Sequence, residues 1–130
     1  MSTELWLLLW SLPLYGLYLG AQSLIYRWRF GVEFAASARD SAPKPEGELL
    51  GRSERALRNF NETYVPLVIM LLIAHLADRN DPVVLWGVGI WFVARIVYLP
   101  LYLSGVQWGR SLAWCGVLIG LCLMFFGIVF

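Results

Sequence analysis

Four long apolar runs, separated by short polar breaks, organise the chain. They cover about Leu5–Tyr26, Asn59–Ala77, Val83–Leu103 and Trp108–Phe130. Each is close to the roughly 20 apolar residues that let a helix cross a bilayer, and each is too long for a barrel strand. Lipid offers no partner to free backbone groups, so helices are the expected spans. "AASARDSAPKPEGE", from Ala35 to Glu48, is rich in Ser, Pro and charge and predicts a loop. "ELLGRSERALRN" regains helical character, with Leu49, Leu50 and Leu57 among its charges. It predicts a turn or two of helix outside the bilayer, continuous with the second span. "DRNDP" predicts a tight connection, with Pro82 suited to the first turn of the third helix. Short connections make neighbouring helices antiparallel. The expected fold is therefore all-α: an integral membrane four-helix bundle, up-down-up-down. It forms one domain over residues 1–130, with helices at about 5–26, 49–77, 83–103 and 108–130.

Composition strengthens this reading. The chain is 59% hydrophobic, with seven Trp, six Tyr and seven Phe, against about 45–50% apolar residues in soluble domains. The net charge of +1 says little, but seven of the ten basic residues lie between Arg27 and Arg58. The second connection, Asp78 to Pro82, has only Arg79. The positive-inside rule then makes the long first loop and the third connection cytoplasmic and puts both termini outside. The expected location is a bacterial inner membrane. The first run follows Glu4 and has neither a basic start nor a small-residue cleavage site, so it reads as a retained helix. Nucleic acid is not expected as a partner. Cys115 and Cys122 read as small packing residues, and His75 as a packing or hydrogen-bonding group. No metal-ligand spacing is present.

The informative chemistry lies on two helical stripes. Arg52, Arg55, Asn59, Glu62 and Pro66 follow one another at spacings of 3, 4, 3 and 4, and Arg58 stands four before Glu62. Arg95, Tyr98 and Tyr102 form a second stripe, and Arg110 with Ser111 opens the last helix. Pro66 and Pro100 free the carbonyls of Glu62 and Ile96. Arg95 lies about 15 Å below Gly105, by the rise of an α-helix. An arginine that deep costs at least about 2.5–3.5 kcal/mol if it faces lipid, so it should face inward with a partner. Glu62 is the one carboxylate within a span on that side and is the candidate partner. Arginines at the ends of membrane helices are commonly interfacial anchors, and tyrosines there form aromatic belts. Three helices offering polar groups at one level point instead to a cytoplasm-facing pocket. Guanidiniums suit carboxylates, a lone Glu suits an ammonium, Asn suits a peptide group, and hydroxyls can donate to a thiolate. Glutathione, a small zwitterionic thiol peptide, fits that inventory.

These motifs resemble the MAPEG family, the membrane-associated proteins of eicosanoid and glutathione metabolism, over nearly the whole chain. "RSERALRNFNE" with the following "TYVP" is similar to the family's pattern through Arg55, Arg58, Asn59, Glu62 and Pro66. "ARIVYLPLY" resembles its third-helix segment, with Arg95 and Tyr102, and "GRS" its arginine–serine pair, Arg110 and Ser111. "YRWR" places Arg27 at the family's glutathione-carboxylate arginine. The resemblance implies a homotrimer that holds glutathione between subunits at the cytoplasmic side. Arg27, Arg55, Arg58, Asn59, Glu62, Arg95 and Tyr98 would bind the peptide, with Arg27 supplied by the neighbouring subunit. Arg110, Tyr102 and Ser111 would act on its thiol, and a small lipophilic substrate would arrive from the membrane lipid. Tyr98 stands where a close eicosanoid-synthesising relative has histidine. The connection before Arg110 is also one residue shorter than in that relative. The implied activity is that of a glutathione transferase or peroxidase acting on hydrophobic electrophiles. The alternative is a non-catalytic protein of the same fold that binds lipid or regulates a partner. A transporter would need polar groups reachable from both sides, and the outer half of the chain is almost entirely apolar.

Overall fold

The computed structural model describes residues 1–40, 47–79 and 81–130. Among the described residues five helices follow one another: α1 (Thr3–Phe30), α2 (Val32–Ala36), α3 (Glu48–Leu76), α4 (Pro82–Ser104) and α5 (Gln107–Val129). Four of them, all but α2, are long and apolar enough to cross a membrane. The chain is an all-helical integral membrane protein, as its pattern predicts. The short α2, after Gly31 (φ 86°), lies between the expected first helix and the expected loop and overlaps that loop only at Ala35 and Ala36, while the part of the loop at 41–46 lies outside the described residues.

Local chemistry explains the boundaries. Ser2 caps α1, its hydroxyl accepting from the Leu5 amide. Asp81 caps α4, its carboxylate accepting from the Val83 amide at 2.8 Å, with Pro82 in the first turn as expected. Gly105 ends α4 in the left-handed conformation (φ 79°), where a side chain would be strained. α3 starts at Glu48 and runs unbroken into its span, so the extramembrane turns and the span form one helix.

The bundle is built from two close pairs, α1 on α3 and α4 on α5. α3 bridges them by touching both α4 and α5, and α1 also meets α4. The core holds Trp91, Phe60, Tyr18, Leu67, Leu71, Val84, Val88, Val117 and Met124. Lipid tails are as apolar as leucine, so hydrophobicity alone does not hold such helices together; close van der Waals packing and internal polar contacts must do so. The α4–α5 pair uses glycine for this. A Cβ on Gly87 would stand 2.6 Å from the Gly120 carbonyl oxygen, and one on Gly120 would meet the Gly87 oxygen at the same distance.

Hydrogen bonds close the far end and fasten α3 to α4. Ser2 Oγ lies 3.1 Å from His75 Nδ1, linking the start of α1 to the end of α3; of the two expected roles for His75, packing or hydrogen bonding, the structure shows the hydrogen bond. Arg52 Nη1 donates to Leu103 O at 3.2 Å, bringing a cation to the negative end of the α4 dipole. Arg52, readable as a simple anchor, is thus an interhelical tie.

The glycine contact gives a direct test. Gly120→Ala should force α4 and α5 apart at a cost of about 1–3 kcal/mol, lowering the thermal midpoint in detergent by about 5 °C or more. Gly16→Ala, where a Cβ meets nothing within 4 Å in the chain, should leave the midpoint nearly unchanged.

Candidate functional site

A cavity of about 500 Å³ opens between α3, α4 and α5, lined by Asn59, Tyr98, Tyr102, Arg110, Ser111, Trp114 and Cys115. It lies where α3 begins, α4 ends and α5 begins, at the basic end of the bundle. The antiparallel order α3–α4–α5 brings these three helix ends together. Five residues singled out by sequence, spread from position 59 to position 111, therefore meet in one wall.

The α3 stripe faces α4 and meets it rung by rung. Below the Arg52 tie, Arg55 Nε donates to the Tyr102 hydroxyl oxygen at 3.2 Å. That oxygen is the acceptor, so the Tyr102 proton remains free to donate. Arg110 lies over the Tyr102 ring, its guanidinium carbon 5.0 Å from the centroid. Tyr98 and Tyr102, one turn apart on α4, have ring centroids separated by 5.4 Å. Ser111 donates its proton to Gln107 O at 3.1 Å, which turns lone pairs rather than a donor to the cavity. In this arrangement its proton is engaged within α5.

Arg95 stands one layer behind the cavity and is fully buried. Nη1 donates to Asn59 Oδ1 at 2.9 Å and Nη2 to Asn59 O at 3.0 Å; Nη2 also donates to Thr63 Oγ1. Three aromatic rings surround the guanidinium, those of Phe60, Trp91 and Tyr98, with centroids 5.5, 5.9 and 5.1 Å away. From the other side, the Tyr18 hydroxyl donates to Arg95 O at 2.6 Å. The expected Arg95–Glu62 pairing does not occur within the chain. Glu62 lies on an exposed face, and the neutral oxygens of Asn59 and Thr63 take its place. The reason is angular: Asn59 and Thr63 are four apart and point at α4, whereas Glu62 is rotated by a whole residue, about 100°, from Thr63.

The remaining candidates lie outside the cavity. Arg27, Arg58 and Glu62 are exposed in a single chain, Arg27 on α1 and the other two on the flank of α3. Residues not singled out by sequence also contribute. Thr63 continues the Asn59 stripe by one turn, a spacing readable in advance. Trp114 and Cys115 lie three and four residues after Ser111, on the same face of α5, and that spacing was equally readable. Tyr18 gave no signal, because a tyrosine in an apolar run looks like any other membrane aromatic. Cys115 and Cys122, expected as packing residues, are both exposed in the chain, and Cys115 borders the cavity.

The structure is that of a membrane-spanning helical bundle with a polar, cation-bearing cavity at one end. The MAPEG family model matches residues 7–130, and the chain belongs to that family. No curated protein and no solved structure matches the chain significantly.

Two cysteines on one helix give a test of the cavity. In single-cysteine variants, a sulfonated methanethiosulfonate should label Cys115, which borders the cavity, at least about tenfold faster than Cys122, because the charged reagent reaches a thiol through water and not through lipid. Equal rates would show that the cavity is closed to water.

Proposed function

We propose that the protein is a membrane-bound glutathione transferase or peroxidase that activates the thiol of glutathione for attack on lipophilic electrophiles. The observation that carries this reading is the convergence of Arg110, Tyr102, Tyr98 and Asn59 on one cavity. The free Tyr102 proton and the Arg110 guanidinium together favour an anion.

The chemistry follows from charge. A thiol taken out of water is harder to ionise, and a fixed cation beside the sulfur reverses that tendency. Arg110 is the group for this role, and the Tyr102 hydroxyl would donate a hydrogen bond to the thiolate. Arg58 and Glu62, exposed on the outer flank of α3, would engage the carboxylates and ammonium of a peptide lying against that flank. Arg27 of a neighbouring subunit would complete the peptide site, which makes a homotrimer the working unit. The electrophile would come from the bilayer along the apolar wall of Trp114. The end carrying the cavity would face the cytoplasm, by the distribution of basic residues, in a bacterial inner membrane.

Bound glutathione should give the near-ultraviolet difference absorbance of a thiolate at neutral pH. Arg110→Ala should abolish that signal and slow conjugation of a dinitrohalobenzene by about 10²-fold, as loss of a fixed transition-state donor does. Affinity should change little, because the peptide anchors lie elsewhere. Glu62→Gln should instead weaken binding by removing the ammonium partner. Full signal and full rate in Arg110→Ala would eliminate Arg110 as the activator. Binding by the wild type with no thiolate would favour the non-catalytic reading.

Native mass spectrometry in mild detergent should show a trimer. A monomer that binds glutathione with unchanged affinity would exclude a site shared between subunits.

A further inference from the structure

Arginine carries only donors. Whatever atom of the Asn59 side chain faces Arg95 must therefore be the carbonyl oxygen, and the amide nitrogen must point the other way. Arg95 Nη1 reaches Asn59 Oδ1 at 2.9 Å, and Nη2 holds the backbone oxygen of the same residue at 3.0 Å. The two contacts grip one residue at two points and fix its side-chain torsion. Asn59 is half-buried and borders the cavity.

We propose that Arg95 is a positioning residue: it locks the Asn59 amide with its NH2 turned to the cavity, so that this wall selects a ligand group that accepts hydrogen bonds, a carbonyl, carboxylate or thiolate. This rests on the proposed thiol-peptide reading for the identity of the ligand, but the orientation of the amide does not.

The guanidinium is itself fixed. Thr63 Oγ1 takes a second bond from Nη2, and Phe60, Trp91 and Tyr98 enclose it. The Tyr18 hydroxyl holds the backbone of Arg95 from the α1 side. Rotating the Asn59 amide by half a turn would place an NH2 against a cation and bury donors face to face, which is costly in a medium without water. Arg95 thus touches no ligand and acts through Asn59. Its depth in the span is the reason it can do so, since no water competes for the bond.

Asn59→Asp separates the two roles. Its carboxylate can still accept from Arg95, so the thermal midpoint should fall much less than in Asn59→Leu. The cavity side, however, now carries an acceptor in place of a donor, and glutathione affinity by calorimetry should fall at least tenfold. Asn59→Leu, which leaves the guanidinium without its side-chain acceptor, should lower the midpoint clearly. Glutathione affinity within twofold of wild type in Asn59→Asp would overturn the proposal. So would a loss of midpoint in Asn59→Asp as large as that in Asn59→Leu. Repeating the titrations with S-methylglutathione identifies the acceptor: a penalty that disappears assigns it to sulfur, and one that persists assigns it to a carbonyl or carboxylate oxygen.

A ligand-free readout keeps the orientation independent of glutathione. The chain has three asparagines, Asn59, Asn61 and Asn80, so selective 15N-asparagine labelling gives few side-chain signals, and the pair lost in Asn59→Asp is that of Asn59. Its NH2 protons should show magnetisation transfer from water in the wild type and altered shifts in Arg95→Lys, which cannot grip both oxygens. An NH2 pair sealed from water would overturn the locked orientation. A wild type with a water-facing NH2 but no affinity for glutathione would leave the Arg95–Asn59 lock in place and remove the thiol-peptide reading instead.

Discussion

A guanidinium buried in a membrane span must be matched by acceptors, and Arg95 is the group on which the basic half of this bundle depends. Its donors reach Asn59 and Thr63 on α3, its backbone takes a bond from Tyr18 on α1, and its own helix is α4. Three helices are thus fixed at one level by one residue. In lipid the apolar side chains gain little by choosing each other over acyl chains, so this polar centre contributes direction and register that the apolar core does not. Neutral partners suit the role. The amide, peptide and hydroxyl oxygens take hydrogen bonds from both Nη atoms without a second charge to desolvate, while Nε has no partner among the described residues.

The site is built on that centre. Asn59 is gripped by Arg95, Tyr102 by Arg55, and Arg110 lies over Tyr102. These three groups are each held by a group behind or beside them, so their donors are oriented before a ligand arrives. Preorganised donors cost less to bring to a developing anion than solvent that must reorient. The glycine contact between Gly87 and Gly120 acts at the other level of the bundle, letting α4 and α5 approach closely enough for the α5 residues Arg110 and Ser111 to share a wall with the α4 tyrosines.

How much of this is written in the sequence can be judged residue by residue. The spans, Pro82 at the start of α4 and the continuous α3 follow from hydrophobic runs and local backbone preferences, which act over a few residues and survive any packing. The spacing of Arg55 and Asn59, and of Tyr98 and Tyr102, predicts which residues share a stripe, because helical periodicity is local too. Arg95 had to face inward on energetic grounds alone. The motif set also carried the family, which the match over residues 7–130 establishes.

What the sequence could not decide is which stripe meets which, and at what angle. Glu62 and Thr63 are adjacent, and charge favours Glu62 as the partner of Arg95; yet helix rotation gives the bond to Thr63 and Asn59 and leaves Glu62 on an exposed flank. The Tyr18 bond to Arg95 spans 77 residues, and nothing in an apolar run marks one tyrosine for it. The orientation of the Asn59 amide likewise exists only once a donor from another helix stands against it. Periodicity fixes neighbours on one helix; the rotation and height of one helix against another come from the packing of all of them, and that is where the tertiary structure alone decides.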